Sequence, residues 1–231
     1  MTSESAALSM EGVRFAYPRR AGRETFEFSV AAFELAAGGE ALVTGPSGCG
    51  KSTMLSLVAG LLDVDAGSIR VAGKDITSLR GAARDRFRGQ TIGMVFQTFN
   101  LLPGFTALDN VNAALMFSER PPGQHDDHAR GLLDGLGVTD ADAHVDELSV
   151  GQQQRVAVAR AVACEPSLVL ADEPTASLDP ESGEAAIAVI RDACKRVGAA
   201  LLCVSHDPSL PERFERRHAF SEIASVGGGG V

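Results

Sequence analysis

Hydrophobic positions along this chain change period several times, and each change predicts an element. Residues 11–17 and 25–35 ("TFEFSVAAFEL") alternate apolar and polar, the period-two pattern of strands with one face buried, and read together as an antiparallel flap. "EALVTG" (40–45) is a short apolar run closed by glycine, and "KSTMLSLVAGLL" (51–62) has helical composition. "GSIRVAGKDI" (67–76) reads as a hairpin, while "TIGMVFQ" (91–97), "SLVLADE" (167–173) and "AALLCVSHD" (199–207) read as further strands. Helical spacing is expected at 80–88, 107–117, 126–136, 149–164 and 181–197. Strands interleaved with helices imply an α/β fold with a mainly parallel sheet. No strand signal occurs from about residue 98 to 165, so that stretch is expected to be an inserted helical lobe. The glycine-rich end, 225–231, reads as flexible.

Composition narrows the class. The 231 residues suit one large domain or two tightly packed lobes, with 45% hydrophobic and 22% charged residues. A net charge of −9 argues against a general nucleic-acid binder, which carries a basic face. The cysteines (Cys49, Cys164, Cys194, Cys203) lack CxxC pairing, which points away from a zinc site or a disulfide framework and towards a reduced compartment. The N-terminus lacks the plan of a signal peptide, and no apolar run nears the ~20 residues that span a bilayer. The expectation is a soluble, cytoplasmic chain whose membrane role, if it has one, comes through a partner.

The chemistry begins at "GPSGCGKST" (45–53), a G-x-x-x-x-G-K-[ST] pattern between an apolar strand and a helix. Gly45, Gly48 and Gly50 let the backbone from Gly45 and Pro46 through Ser47, Gly48, Cys49 and Gly50 curl so that its N–H groups, which Pro46 lacks, face phosphate oxygens next to a positive helix end. Lys51 reaches the β- and γ-phosphates, and Ser52, followed by Thr53, offers a hydroxyl to Mg²⁺. Cys49 is either a space-filling residue whose backbone binds or a redox-sensitive thiol. "LVLADE" ends a buried strand in two carboxylates, which places Asp172 in reach of magnesium and Glu173 where a general base would hold an attacking water. His206 ends the strand "LLCV" on the same side of the sheet, positioned for a γ-phosphate. Gln97 ends another strand, a position that by itself is ordinary polar surface.

"LSVGQQQRVAVARA" (148–161) raises a separate question. Ser149 and Gln152 make an S-x-x-Q capping box ahead of a buried helix, and that alone explains them. A serine hydroxyl, the Gly151 N–H and a helix dipole also make an anion site. The chain's own phosphates already have a cradle, so a second site suits a phosphate held by another copy.

Taken together these stretches resemble the ATPase subunits of ATP-binding-cassette (ABC) transporters over about residues 10–210. "GPSGCGKST" resembles the Walker A loop, "VFQTFNLL" the Q-loop and "LSVGQQQRVAVARA" the signature. "LVLADEPTASLD" resembles the Walker B strand with its D-loop, and "VSHD" the switch histidine. The resemblance implies a P-loop NTPase core with an antiparallel β flap and an inserted α-helical subdomain, binding ATP and Mg²⁺. It implies head-to-tail pairing with a second copy, each ATP lying between one Walker A and the other chain's signature, so that Ser149, Gly151 and Gln152 serve the partner's nucleotide. It further implies that Tyr17, otherwise a flap core residue, stacks on adenine. By the same resemblance Gln97 would touch Mg²⁺ or the water, Asp179 would cross the seam, and the lobe from Phe99 onward would dock an integral membrane permease. The signature departs from Leu-Ser-Gly-Gly-Gln at Val150; the expectation is retained function with a weaker contact across the seam. "VFQTFNLLPGFTALDNV" looks most like cassettes of lipoprotein-releasing, macrolide-exporting and cell-division systems, whereas "SLDPESG" leans towards amino-acid importers. A soluble cassette working on DNA or ribosomes and a non-hydrolysing nucleotide regulator are the other classes; the former lacks its usual insertions here, and intact Lys51, Asp172, Glu173 and His206 speak against the latter.

Overall fold

The computed structural model describes residues 6–17, 26–176, 178, 180–207 and 210–227. Asp179 lies outside the described residues. Two sheets carry the architecture. The first contains β1 (Ala6–Ala16), β2 (Glu27–Ala36), β4 (Ala66–Val71), β5 (Lys74–Asp75) and β10 (Ala224–Gly227), in the order β10-β2-β1-β4-β5 with antiparallel pairing. This is the expected flap and hairpin, with β1 starting five residues before its predicted edge.

The second sheet contains β3 (Glu40–Thr44), β6 (Ile92–Val95), β7 (Leu168–Asp172), β8 (Ala200–Ser205) and β9 (Arg217–Ala219), in the order β6-β7-β8-β3-β9, all parallel. β8 is buried throughout, and β3 and β7 are buried except at their ends, because helices cover both faces. Registers align the strand ends: Thr44 pairs with Ser205, Asp172 with Val204 and Val95 with Ala171. The residues just beyond these ends (Gly45, Glu173, His206 and, a little further out, Gln97) therefore emerge on one edge, where open α/β sheets bind ligands.

α1 (Lys51–Val58) follows β3, and α2 (Gly81–Thr91) leads into β6. Thr91 is helical and Phe96 and Gln97 lie beyond the strand, so β6 is shorter than the expected 91–97. Between β6 and β7 come only helical elements: α3 (Ala107–Leu115), α4 (His125–Gly135), α5 (Val150–Val162) and short 3₁₀ turns. They share a core of their own around Leu108, Val111, Leu115, Leu133, Val145 and Val156, the inserted helical lobe. α6 (Pro180–Val197) returns to the parallel sheet and packs on it through Ile187, Ile190 and Ala193.

The expectation of a flexible end over 225–231 is corrected for 225–227, which are in a strand; 228–231 lie outside the described residues. β9 pairs with β3, α7 (Phe220–Ile223) follows, and β10 lies on β2 through Ala224↔Val30 and Gly227↔Glu27. "RRHAFSEIASV" has neither an apolar run nor a clean period; the open edges of two sheets recruit it, and Phe220 and Ile223 are buried.

At the start of the helical lobe, Phe99 and Asn100 are both left-handed, with φ of 58° and 47°. Non-glycine residues in that region cost about 1–3 kcal/mol each. Arg160, in the last turn of α5, offsets this by donating to the Phe99 and Asn100 carbonyls at 2.6 Å each. Burial pulls the Arg160 guanidinium pKa down from its ordinary value. Arg160→Lys, which keeps the charge and loses the fork, is expected to lower stability by about 1–3 kcal/mol. The urea-unfolding midpoint checks this; a wild-type midpoint would show that the fork carries no such load.

Candidate functional site

A cleft of about 450 Å³ opens on the edge where the strand ends converge, lined by Tyr17, Phe26, Ser47, Gly48, Gly50, Lys51, Ser52, Thr53, Gln97, Glu173 and His206. Residues predicted from five separate stretches of chain (Tyr17, the loop 45–53, Gln97, Glu173 and His206) thus meet in one place. Within the loop, Gly48 and Gly50 have φ of 78° and 110°, the left-handed region that glycine adopts freely. Gly50 is the N-cap of α1 and supplies no side-chain cap, nor is there an acidic residue in the first turn. The N–H groups there are left to an anion. Gly45, Pro46 and Cys49 form the back of the loop; Cys49 packs on the hydrophobic core, which is the space-filling reading of that residue.

Lys51 is buried although charged. Its Nζ donates to the Gly45 carbonyl at 2.8 Å and the Pro46 carbonyl at 3.0 Å, and pairs with Glu173 Oε1 at 3.2 Å. The other carboxylate oxygen of Glu173 accepts from the Ser205 hydroxyl at 3.1 Å, the His206 N–H at 3.1 Å and His206 Nδ1 at 2.8 Å. Burial alone would raise the Glu173 pKa, but the hydrogen bonds from His206 and Lys51 outweigh it and hold the carboxyl below its ordinary value. The group is ionised at neutral pH. An ionised Oε2 requires the proton on Nδ1, which leaves Nε2 of the half-exposed His206 ring as the free nitrogen. Glu173 itself sits at φ 49°, a strained backbone just past the end of β7.

Asp172 behaves oppositely. Burial raises its pKa, the Glu173 charge adds to the effect, and the hydrogen bond from Ser52 Oγ to Oδ1 at 3.1 Å opposes it. A folded-state pKa above the unfolded one means that the ionised carboxylate destabilises the fold at neutral pH, and the penalty disappears as pH falls through the folded pKa. Asp172→Asn is therefore expected to raise the melting temperature of the nucleotide-free protein by about 2–4 °C, the shift that 1 kcal/mol gives in a chain of this size. Calorimetry at pH 7 checks the sign. The donor set of one hydroxyl and one carboxylate beside a phosphate cradle fits Mg²⁺, which takes few protein ligands and completes its shell with phosphate oxygens and water.

Tyr17 stands at the rim, 42% exposed, with its ring edge-on to Phe15 at 4.8 Å and near Phe26 at 5.7 Å. Its hydroxyl meets Thr53 Oγ1 at 3.3 Å. The exposed face is available for a flat ring to stack on.

Ser149, Gly151 and Gln152 are not among the cleft residues. Ser149 caps α5 with the expected reciprocal box: its Oγ accepts from the Gln152 N–H at 3.3 Å, and Gln152 Oε1 accepts from the Ser149 N–H at 3.1 Å. A side chain at Gly151 would meet open space, and Val150 is 54% exposed, so this helix end faces outwards. Sequence reasoning gave Ser205 and Phe26 no role. Ser205 precedes His206 and could have been suspected on that ground; Phe26 carries no signal apart from its place in the flap.

The model of the ABC transporter family matches residues 28–176. The lipoprotein-releasing system ATP-binding protein LolD of Anaeromyxobacter dehalogenans is 47% identical over 176 residues, 74% of this chain and 73% of that one. LolD of Shewanella sp. strain MR-7 is 40% identical over 181 residues, 78% of each chain. The methionine import ATP-binding protein MetN of Rhizobium etli is 42% identical over 185 residues, which make up 80% of this chain and 51% of that protein. Among solved structures, the dimeric bacterial ABC transporter cassette MJ0796 superposes with a TM-score of 0.76 at 30% identity, over 91% of this chain and 92% of that one.

Proposed function

Because this chain belongs to the ABC transporter family, as an ATP-binding and ATP-hydrolysing subunit, we propose that it burns ATP in pairs to drive a membrane permease of the lipoprotein-release type. The observation that carries the reading is the Lys51–Glu173–His206 network beside the phosphate loop. In it a cation for phosphate, a carboxylate for water and an imidazole for the terminal phosphate are already in mutual contact.

ATP binds with its phosphates in the loop 45–53 and its adenine on Tyr17. Mg²⁺, held by Ser52 and Asp172 with Gln97 nearby, supplies charge neutralisation of the phosphates. Lys51 turns from Glu173 to the phosphate oxygens. Glu173 then loses its positive partner and faces negative charge, which raises its basicity towards that of a working general base. It takes a proton from the attacking water while Ser205 and the His206 backbone N–H hold Oε2 in place. His206, its Nδ1–H engaged by Glu173, binds the γ-phosphate as an imidazolium, in which Nε2 also carries a hydrogen and donates to a phosphate oxygen.

The site is completed by a second copy, whose Ser149, Gly151 and Gln152 bring an outward-facing helix N-terminus to the same phosphate; Asp179 belongs to that seam by resemblance alone. The dimeric cassette MJ0796 supports the pairing. Among the described residues no helix is long and apolar enough to cross a membrane; in this reading the chain sits at the inner membrane face, held there by its permease. Exposed Leu102, Phe105, Met116 and Phe117 on the helical lobe support docking there. Lipoprotein release is favoured over amino-acid import because LolD relatives match along most of their length, while the match to MetN stops at about half of that protein. Purified protein is expected to release phosphate from ATP only when Mg²⁺ is added, and to co-purify with a permease in mild detergent. No phosphate release under either condition, or a constant amino-acid import permease as the co-purifying partner, would overturn the respective half of the reading.

A further inference from the structure

None of the described residues after His206 lines the cleft, yet the segment around α7 reaches the phosphate loop from behind. Phe220, the first residue of α7, is buried. A carbon added at Gly45 would lie 3.0 Å from Phe220 Cβ, and one added at Gly50 would lie 3.1 Å from Phe220 Cζ and 3.0 Å from Phe26 Cζ. One side chain thus lies against both ends of the loop, in space that only glycine leaves open. The ring also approaches Phe28 of the flap, with centroids 6.1 Å apart. Strands anchor it on both sides: β9 on β3, reinforced by the Thr44 hydroxyl donating to the His218 carbonyl at 3.4 Å, and β10 on β2.

The loop's backbone–backbone bonds are long, from the Gly45 N–H to Ser205 at 3.3 Å and from the Cys49 N–H to Pro46 at 3.4 Å, and its shorter bonds, from Lys51 Nζ to the Gly45 and Pro46 carbonyls, come from a side chain that phosphate draws away. Such bonds are a weak constraint on a backbone whose N–H groups must already converge when phosphate arrives. We propose that Phe220 is a positioning residue for the phosphate loop: wedged between Gly45, Gly50 and Phe28, it holds the loop in its anion-binding shape, so that the C-terminal segment sets ATP affinity. This rests on the assignment of ATP to the loop.

The test compares Phe220→Leu and Phe220→Ala with Ile69→Ala, a buried control in the same core on β4, and with Lys51→Met. All are assayed as the full chain, well below their melting temperatures. Loss of positioning raises KM and the Kd for ATP about tenfold, or ~1.4 kcal/mol, and leaves kcat at saturating ATP near wild type. Phe220→Leu, which keeps the contact at Gly45 and loses the reach to Gly50, is expected to fall between wild type and Phe220→Ala. Ile69→Ala is expected to lower the melting temperature with KM unchanged. The proposal is overturned if the Phe220 variants melt early yet bind ATP like wild type, or if Ile69→Ala raises KM as much. If Phe220→Ala does not fold, Phe220→Leu decides. A wild-type chain that binds no ATP, or whose binding survives Lys51→Met, overturns the nucleotide assignment and this inference with it.

Discussion

Glu173→Gln is expected to lower ATP turnover by about 10²–10⁴-fold, the usual loss when a general base is removed, and to leave ATP bound. The geometry explains why so small a change is so costly. One carboxylate oxygen pairs with Lys51, and the other gathers donors from Ser205 and from the backbone and ring of His206. An amide has one acceptor where the carboxylate has two, so its NH₂ group must face either a cation or a set of donors. It also cannot take a proton from water. Binding is expected to survive because the loop and Lys51 are intact, and removing negative charge near the phosphates favours ATP. The variant should therefore accumulate as an ATP-bound dimer, detectable by size-exclusion chromatography with retained nucleotide. Near-normal phosphate release would show that Glu173 does not activate the water. A pH signature accompanies this: since the folded Glu173 has a lowered pKa, its contribution to stability is present above the ordinary carboxylate range and is lost as pH falls through the folded value. The variant's melting temperature should fall less on acidification than the wild type's.

Gly151→Asp is expected to lower turnover by about 10²–10³-fold, the scale of losing one pre-organised oxyanion contact, without lowering stability. An added side chain meets nothing within 4 Å, and a carboxylate in the first turn of α5 complements the helix dipole. Locally the change is neutral or stabilising; for a phosphate approaching that helix end it is repulsive. The defect should therefore appear only where two copies meet. Mixing Gly151→Asp protein with Lys51→Met protein, each inactive alone, pairs an intact phosphate loop with an intact signature in the heterodimers, and activity should return. If no activity returns although heterodimers form, or if Gly151→Asp is active alone, the composite site is refuted.

Much of this was legible in the chain because the relevant signals are local. The turn "GPSGCGKS" needs glycines at set positions, the capping box at Ser149 and Gln152 is a spacing of three, and the apolar runs "LVLAD" and "ALLCVS" end abruptly in polar residues. Each follows from constraints within a few residues. The edges of β6 and the fate of the last residues were not legible, for the same physical reason in both cases. Thr91 is taken by the helix before β6, and residues 217–227 adopt strand and helix only because β3 and β2 present unpaired edges to them. Backbone groups far away in sequence decide such elements. The left-handed pair Phe99–Asn100 is likewise invisible locally, since it is held by Arg160 some sixty residues later.

By itself the sequence determined which groups the protein brings to its chemistry: a phosphate cradle, a carboxylate pair, an imidazole and an outward anion site, each fixed by short-range spacing. The tertiary structure alone decided that Lys51, Glu173, Ser205 and His206 form one hydrogen-bonded unit, that Glu173 and Asp172 shift their pKa values in opposite directions, and that Phe220 backs the phosphate loop. Those outcomes depend on distance and burial between strands that the chain brings together only when the sheet closes.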